Sequence, residues 1–268
     1  METPVPTSSP SRFAAFGGGA IIGLLGGLIG LGGAEFRLPL LIGVFRFAAL
    51  EAVILNKAMS LVVVATALPF RAGSVPLADV ASQWPILVNL LTGSLVGAWF
   101  GAGWATRLNS ATLYKVIAVL LIMIAVVLVF GHNTTSSGRP LFGGAALLVA
   151  GIVAGFAIGI VASLMGVAGG ELLIPTLVLL FGADIKLAGS LSLAVSLPTM
   201  IVGFARYSRD QSFQVLGRNQ SFLRFMAVGS IVGTFTGGQL LGIVPDNVLL
   251  PGLAAILLVS AWKVWGHR

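Results

Sequence analysis

G-L-I-G-L-G-G-A-E-F-R-L-P at 27–39 returns, altered but recognisable, as S-L-M-G-V-A-G-G-E-L-L-I-P at 163–175. In both stretches an apolar run dissolves into a glycine cluster and resumes through a glutamate and a proline. Glycine costs about 1 kcal/mol per helical position and relaxes the backbone, while proline is tolerated in the first turn of a new helix. The pattern predicts two interrupted helices, with Pro39 and Pro175 in the first turns of the restarted segments. Irregular backbone at membrane depth survives only where protein or a watery cavity satisfies its polar groups, and a restarted helix presents N–H groups of partial positive charge. Two such breaks facing each other would form an anion site made of backbone. Close helix packing alone would account for the glycines, but not for the Glu and Pro at fixed distances after them.

The two stretches belong to a longer repeat. A shift of 136 positions aligns Gly30 with Gly166, Gly33 with Gly169, Glu35 with Glu171, Pro39 with Pro175, Phe45 with Phe181 and Ser60 with Ser196, without a gap. It also lays Gly93-Ser94, Gly97 and Gly101 on Gly229-Ser230, Gly233 and Gly237, a G-x-x-x-G ladder in each copy. Residues 1–12, rich in Pro, Ser and Thr, read as a disordered cytoplasmic tail, 13–131 as transmembrane repeat 1, 132–140 as a polar linker and 141–266 as transmembrane repeat 2. The hydrophobic segments number ten: 13–30, 36–50, 57–70, 84–106, 112–131, 141–165, 171–183, 187–206, 221–242 and 248–266. The second and seventh are too short to cross alone and either cross with help or re-enter. Five segments per copy is an odd number, so the second copy is expected to be inverted in the membrane.

Charge placement agrees with inversion. The loop after the third segment is sparse in the first copy (Arg71, Asp79) and basic in the second (Arg206, Arg209, Arg218, Arg224). The loop after the fourth carries Arg107 and Lys115 in the first copy and only Asp246 in the second. By the positive-inside rule both loops change sides. This puts both termini in the cytoplasm and marks Arg12, Lys57 and Arg206 among the cytoplasmic charges, while Trp84, Trp99, Trp104, Trp262 and Trp265 fit interfacial belts.

Composition excludes most other classes. Hydrophobic residues are 57% of the 268, charge is confined to 15 Lys+Arg and 8 Asp+Glu, and mean hydropathy is +1.05, so the solvent is lipid. The run LYKVIAVLLIMIAVVLVF at 113–130 does not alternate as a barrel strand must. The resulting fold class is all-α: a polytopic transmembrane helical bundle of two inverted repeats, with discontinuous helices or re-entrant half-helices. A net charge of +7 is what cytoplasmic loops collect, and nucleic acid is not an expected partner. With no cysteine and two histidines near loop or chain ends, neither a metal site nor a cofactor is expected.

The third segments open on polar residues, L-N-K-A-M-S at 55–60 and G-S-L-S-L-A-V-S at 189–196. Asn56, Lys57 and Ser60 can share one helical face, as can Ser192 and Ser196. Lys57 either snorkels to the interface or binds substrate. Glu35 and Glu171 either satisfy first-turn amides or carry coupling protons. Arg37 is expected to neutralise Glu35, with joining the anion site as the alternative. The candidate substrate-binding set is Gly30, Gly32, Gly33, Asn56, Lys57, Ser60, Gly166, Gly169, Gly170, Ser192 and Ser196.

The paired G-x-G-G-A-E-x-x-x-P and G-x-A-G-G-E-x-x-x-P blocks, the N-K after the first and the L-S-L-A-V-S-L-P-T ending in F-A-R-Y after the second resemble the sulfite exporter TauE/SafE family, also called the toluene-sulfonate uptake permease family. The likeness runs from 13 to 266, with Ala34, Arg37 and Ala168 departing from the usual pattern. It implies a secondary transporter of the bacterial inner membrane, in the exporting direction, for a small sulfur-containing anion such as sulfite, sulfoacetate or another organosulfonate. It also implies that the glycine blocks, Asn56-Lys57 and the second-copy serines line the cavity. Alternating access around a midplane site, by rocking of the two halves, is the expected mechanism, with protons as a candidate coupling ion. A passive anion channel, or a membrane scaffold or enzyme of sulfur metabolism, are the alternatives.

Overall fold

Apolar runs this long can satisfy their backbone in lipid only as helices or closed barrels. The computed structural model describes residues 12–29, 33–71, 75–131, 139–239 and 246–266, and among these there is no strand. In chain order come α1 (Arg12–Ile29), α2 (Ala34–Gly43), α3 (Ala49–Arg71), α4 (Leu77–Ser82), α5 (Trp84–Ala105), α6 (Ser110–Gly131), α7 (Gly144–Met165), α8 (Gly170–Phe181) and α9 (Ile185–Tyr207). A 3-10 turn (Gln211–Gln214) leads to α10 (Val215–Arg218), α11 (Gln220–Gln239) and α12 (Asp246–Trp265). Among the described residues five helices are long and apolar enough to cross a bilayer: within α3, α5, α6, α7 and α9. At about 1.5 Å per residue, α2 and α8 reach only about half of a hydrocarbon core. They are half-helices.

Several boundaries differ from the sequence reading. The predicted segment 36–50 stops at Gly43, turns through Arg46 (φ 57°), and α3 begins at Ala49, so Asn56 and Lys57 lie two turns inside a helix rather than at its start. F-R-F-A-A-L-E-A at 45–52 stays mostly apolar across the turn, which hides it from a hydropathy reading. Pro39 and Pro175 are each the sixth residue of their helix, beyond the first turn in which the sequence pattern places them. A proline there gives no N–H to the carbonyl four residues back, which is that of Glu35 in α2 and of Glu171 in α8. Arg12 already belongs to α1, whereas residues 1–11 of the expected tail and 132–138 of the expected linker lie outside the described residues.

The tightest packing joins distant parts of the chain. α1 runs along α11, and α5 along α7, with backbones in contact. A Cβ placed at Gly19, Gly23, Gly229 or Gly233 would overlap a backbone carbonyl oxygen across the first pair: Met226, Ser230, Phe16 and Ala20 in turn. The same holds in the second pair for Gly155, Gly159, Gly93 and Gly97, against Leu90, Ser94, Ile152 and Phe156. The repeat offset maps each contact of the first pair onto one of the second. Small residues turn inward, and α5 buries Gly93, Ser94, Gly97, Ala98, Gly101 and Ala102 while Val88, Val96 and Phe100 stay exposed. This inside-out pattern suits lipid, where large apolar groups gain nothing by hiding and close backbone approach gains dispersion energy. α3 and α9, rich in buried polar groups, meet at the centre, and α6 packs on α12.

Replacing Gly93 tests the backbone contact. Gly93→Ala should lower the melting temperature of the detergent-solubilised protein by roughly 5 °C, the scale of an overpacking penalty. Gly17→Ala, in a helix position with nothing within 4 Å, should leave it unchanged.

Candidate functional site

Both glycine tracts interrupt their helices. α7 ends at Met165, Gly166 (φ 67°) and Gly169 (φ 84°) take left-handed conformations, and α8 starts at Gly170. α1 is described as far as Ile29 and α2 starts at Ala34 after the left-handed Gly33 (φ 69°), while Gly30 and Gly32 lie outside the described residues. A side chain at these positive φ values would be strained, and one at Gly166 would also strike the Val53 carbonyl of α3. The second break is therefore pressed against α3.

A helix that stops buried in the protein, as α7 does, leaves its last carbonyls in need of donors. Here side chains supply them. Lys57 Nζ donates to Ala162 O at 3.1 Å, Tyr207 Oη to Ser163 O at 2.8 Å and Asn56 Nδ2 to Met165 O at 3.1 Å. The Lys57 ammonium sits at the negative end of α7, the favourable end for a cation. Gly203 of α9 makes room for it, since a Cβ there would lie 3.0 Å from Lys57 Cε. Lys57 is fully buried, so it neither snorkels nor marks a cytoplasmic loop. Asn56 Nδ2 also donates to Ala34 O at 3.0 Å, so one amide ties the end of α7 to the start of α2. Ser196 Oγ donates to Ala168 O at 2.8 Å, inside the second break.

Arg37 does not close onto Glu35. Residues two apart on a helix point in different directions, and the guanidinium instead reaches α3 and α11. Its Nη1 donates to Asn56 Oδ1 at 3.3 Å and Ser60 Oγ at 3.1 Å, and its Nη2 to Ser230 Oγ at 3.3 Å. Nε has no acceptor. Arg37 is 0% exposed, as is Lys57, and no carboxylate stands within ion-pair distance of either among the described residues. Burying a cation without a counter-ion costs several kcal/mol even after relaxation, of order 3–5 for a charge left unpaired. Glu35 acts on Arg37 electrostatically but makes no hydrogen bond to it.

Glu35 and Glu171, at the starts of α2 and α8, are also buried. Among the described residues neither oxygen of Glu35, nor Oε2 of Glu171, has a partner in good hydrogen-bond geometry. Glu171, and Arg37 less strongly, are the charged groups near enough to act on the Glu35 carboxyl.

Of the expected set, Gly33, Asn56, Lys57, Ser60, Gly166, Gly169, Gly170 and Ser196 fall at or beside the two breaks. Ser192 is buried but donates to Gly189 O of its own helix at 2.8 Å. The sequence reading passes over Ser230, Ser94, Thr199, Ser163 and Tyr207. Ser94 and Ser230 are visible as neighbours of the ladder glycines, and Tyr207 as one of two tyrosines in the chain. The charge is one-sided: the repeat equivalents of Arg37 and Lys57 are Leu173 and Leu193.

A family model described as Sulfite exporter TauE/SafE matches residues 13–264, nearly the whole chain, and the chain belongs to that family. No curated protein and no solved structure matches it significantly. With five bilayer-length helices among the described residues and this membership, it is a multi-pass membrane protein of a transporter family.

Removing the shared amide should be felt as structure. Asn56→Leu leaves the Ala34 and Met165 carbonyls without this donor, and a loss of about 1–3 kcal/mol per unsatisfied group is expected. The readout is a lower melting temperature in detergent and faster proteolysis, whereas Ser82→Ala, at an exposed site, should behave as the parent.

Proposed function

Starting from membership of the TauE/SafE family, we propose that this chain is a secondary transporter of a small sulfur-containing anion such as sulfite, sulfoacetate or another organosulfonate. We read it as an exporter of the bacterial inner membrane with both termini in the cytoplasm. The observation that carries the reading is the buried Arg37 guanidinium, with Nε unused and no carboxylate paired to it, at the meeting of two interrupted helices. A sulfonate or sulfite group offers three oxygens, which the guanidinium fork, the Ser60 hydroxyl and the helix-start amides of α2 and α8 would take up as its hydration shell is lost. Arginine suits this task better than lysine because its planar fork engages two oxygens at once.

The halves 13–131 and 141–266 are taken as inverted repeats. Supporting this are the glycine contacts that recur at the repeat offset and the nearness of Glu35 to Glu171. Since the first long helix of each half is packed on the third long helix of the other, the bodies that move in alternating access are the α1–α11 and α5–α7 pairs, not the halves in chain order. A proton shared between Glu35 and Glu171 would join the two carboxyls, and its loss would drive them apart, which makes the pair the site of proton coupling.

Counterflow in proteoliposomes tests the reading. Liposomes loaded with unlabelled sulfite or sulfoacetate should accumulate labelled anion against its gradient, and leak without counterflow would contradict a carrier. Arg37→Gln should reduce counterflow at least about tenfold, the scale of one charge-assisted hydrogen bond, with unaltered chromatographic behaviour, and Arg37→Lys should restore only part of it. Glu171→Gln should retain anion-dependent thermal stabilisation but lose uptake driven by a pH gradient. Unchanged gradient-driven uptake would remove proton coupling.

A further inference from the structure

The serines that follow the ladder glycines, Ser94 on α5 and Ser230 on α11, each reach into the opposite half of the chain, and they do so with different chemistry. Ser94 Oγ lies 2.7 Å from Thr199 Oγ1 of α9. The Thr199 hydroxyl proton is directed to Val195 O at 2.8 Å, so Ser94 is the donor in a neutral bond. The repeat equivalent of Thr199 is Val63 of α3, which can form no such bond. Ser230 accepts instead from Arg37 Nη2, and Nη1 carries the link on to Ser60 of α3. The helix spacing follows suit. α5 lies along α9, whereas α11 meets α3 only sparsely. Ser94, Thr199, Arg37, Ser60 and Ser230 are all buried.

We propose that Ser94–Thr199 and Arg37–Ser230 are two latches that occlude the site from opposite membrane faces, and that the substrate anion opens only the second. This rests on the inverted-repeat transporter reading, which places equivalent positions on opposite sides. An anion competes for a guanidinium because both of its N–H forks are better satisfied by oxyanion oxygens than by neutral hydroxyls. It has no such claim on the Ser94–Thr199 pair. Ser230 is thus a positioning residue: it holds Arg37 across the gap between α11 and α3 until the anion takes its place. The asymmetry also gives transport a direction of response, since anion binding loosens one interface and leaves the other shut.

The absence of native cysteine makes the test direct. Met59→Cys on α3 and Val195→Cys on α9 occupy equivalent positions of the two repeats, both buried; Met59 directly precedes Ser60 in the chain, and Val195 O accepts the Thr199 hydroxyl. Their labelling by N-ethylmaleimide is followed in detergent. Adding Ser230→Ala should raise labelling of Met59→Cys by about fivefold, the factor for losing one hydrogen bond, and leave Val195→Cys unchanged. Ser94→Ala should do the reverse, and Ser230→Thr, which keeps the hydroxyl, should behave as the parent. Sodium sulfoacetate should raise labelling of Met59→Cys alone. Equal labelling with and without Ser230→Ala, or a rise at both cysteines together, overturns the two-latch proposal. Counterflow of sulfoacetate without any sulfoacetate effect on labelling overturns release by the anion and leaves transport standing. Latch effects without counterflow of any sulfur anion support the latches and contradict the proposed transport function.

Discussion

A helix that ends buried inside the protein leaves carbonyls at one end and amides at the other with no solvent to satisfy them. The rest of this structure is arranged around that constraint. The end of α7 takes donors from Lys57, Asn56 and Tyr207, on α3 and α9. These two helices cross the centre of the molecule because the broken backbone needs them there. Asn56 has the sharpest role, spanning from the last residue of α7 to the first of α2. The two breaks are consequently held as one unit, and whatever binds between the half-helices is felt by both.

Positive charge enters this centre from one side only. Arg37 and Lys57 belong to the first half of the chain, and leucines stand at the corresponding places in the second. Their functions also differ. Lys57 is engaged with a carbonyl at a helix end, a structural use of a cation. Arg37 donates only to neutral acceptors, and among the described residues its Nε has none. Small-residue packing on both flanks, α1 with α11 and α5 with α7, supplies a stiff frame for the less tightly joined α3–α11 face.

Much of this is legible in the amino-acid order, for physical reasons. Glycine runs in an apolar chain have few uses other than close packing or a break, and the Glu and Pro after them distinguish the two. Asn56, Lys57 and Ser60 stand out because polar groups are costly in lipid. Other features depend on geometry that a linear pattern does not carry. The turn at 44–48 is built from residues as apolar as a helix, so hydropathy displaces the boundaries of α2 and α3. Arg37 looks like a partner for Glu35 because they are close in sequence, but a helix turns them apart. Ser230 lies 193 residues from Arg37, and only packing of α1 on α11 brings it within reach.

The central claim is that the two half-helix starts and Arg37 enclose a single anion site. Selenite, a close relative of sulfite in shape and charge, carries an anomalous scatterer that can be located without ambiguity. Crystals grown with selenite should show one strong anomalous peak in contact with the Arg37 guanidinium and the first amides of α2 and α8. A peak elsewhere, with Arg37 still bonded to Ser60 and Ser230, would contradict the account.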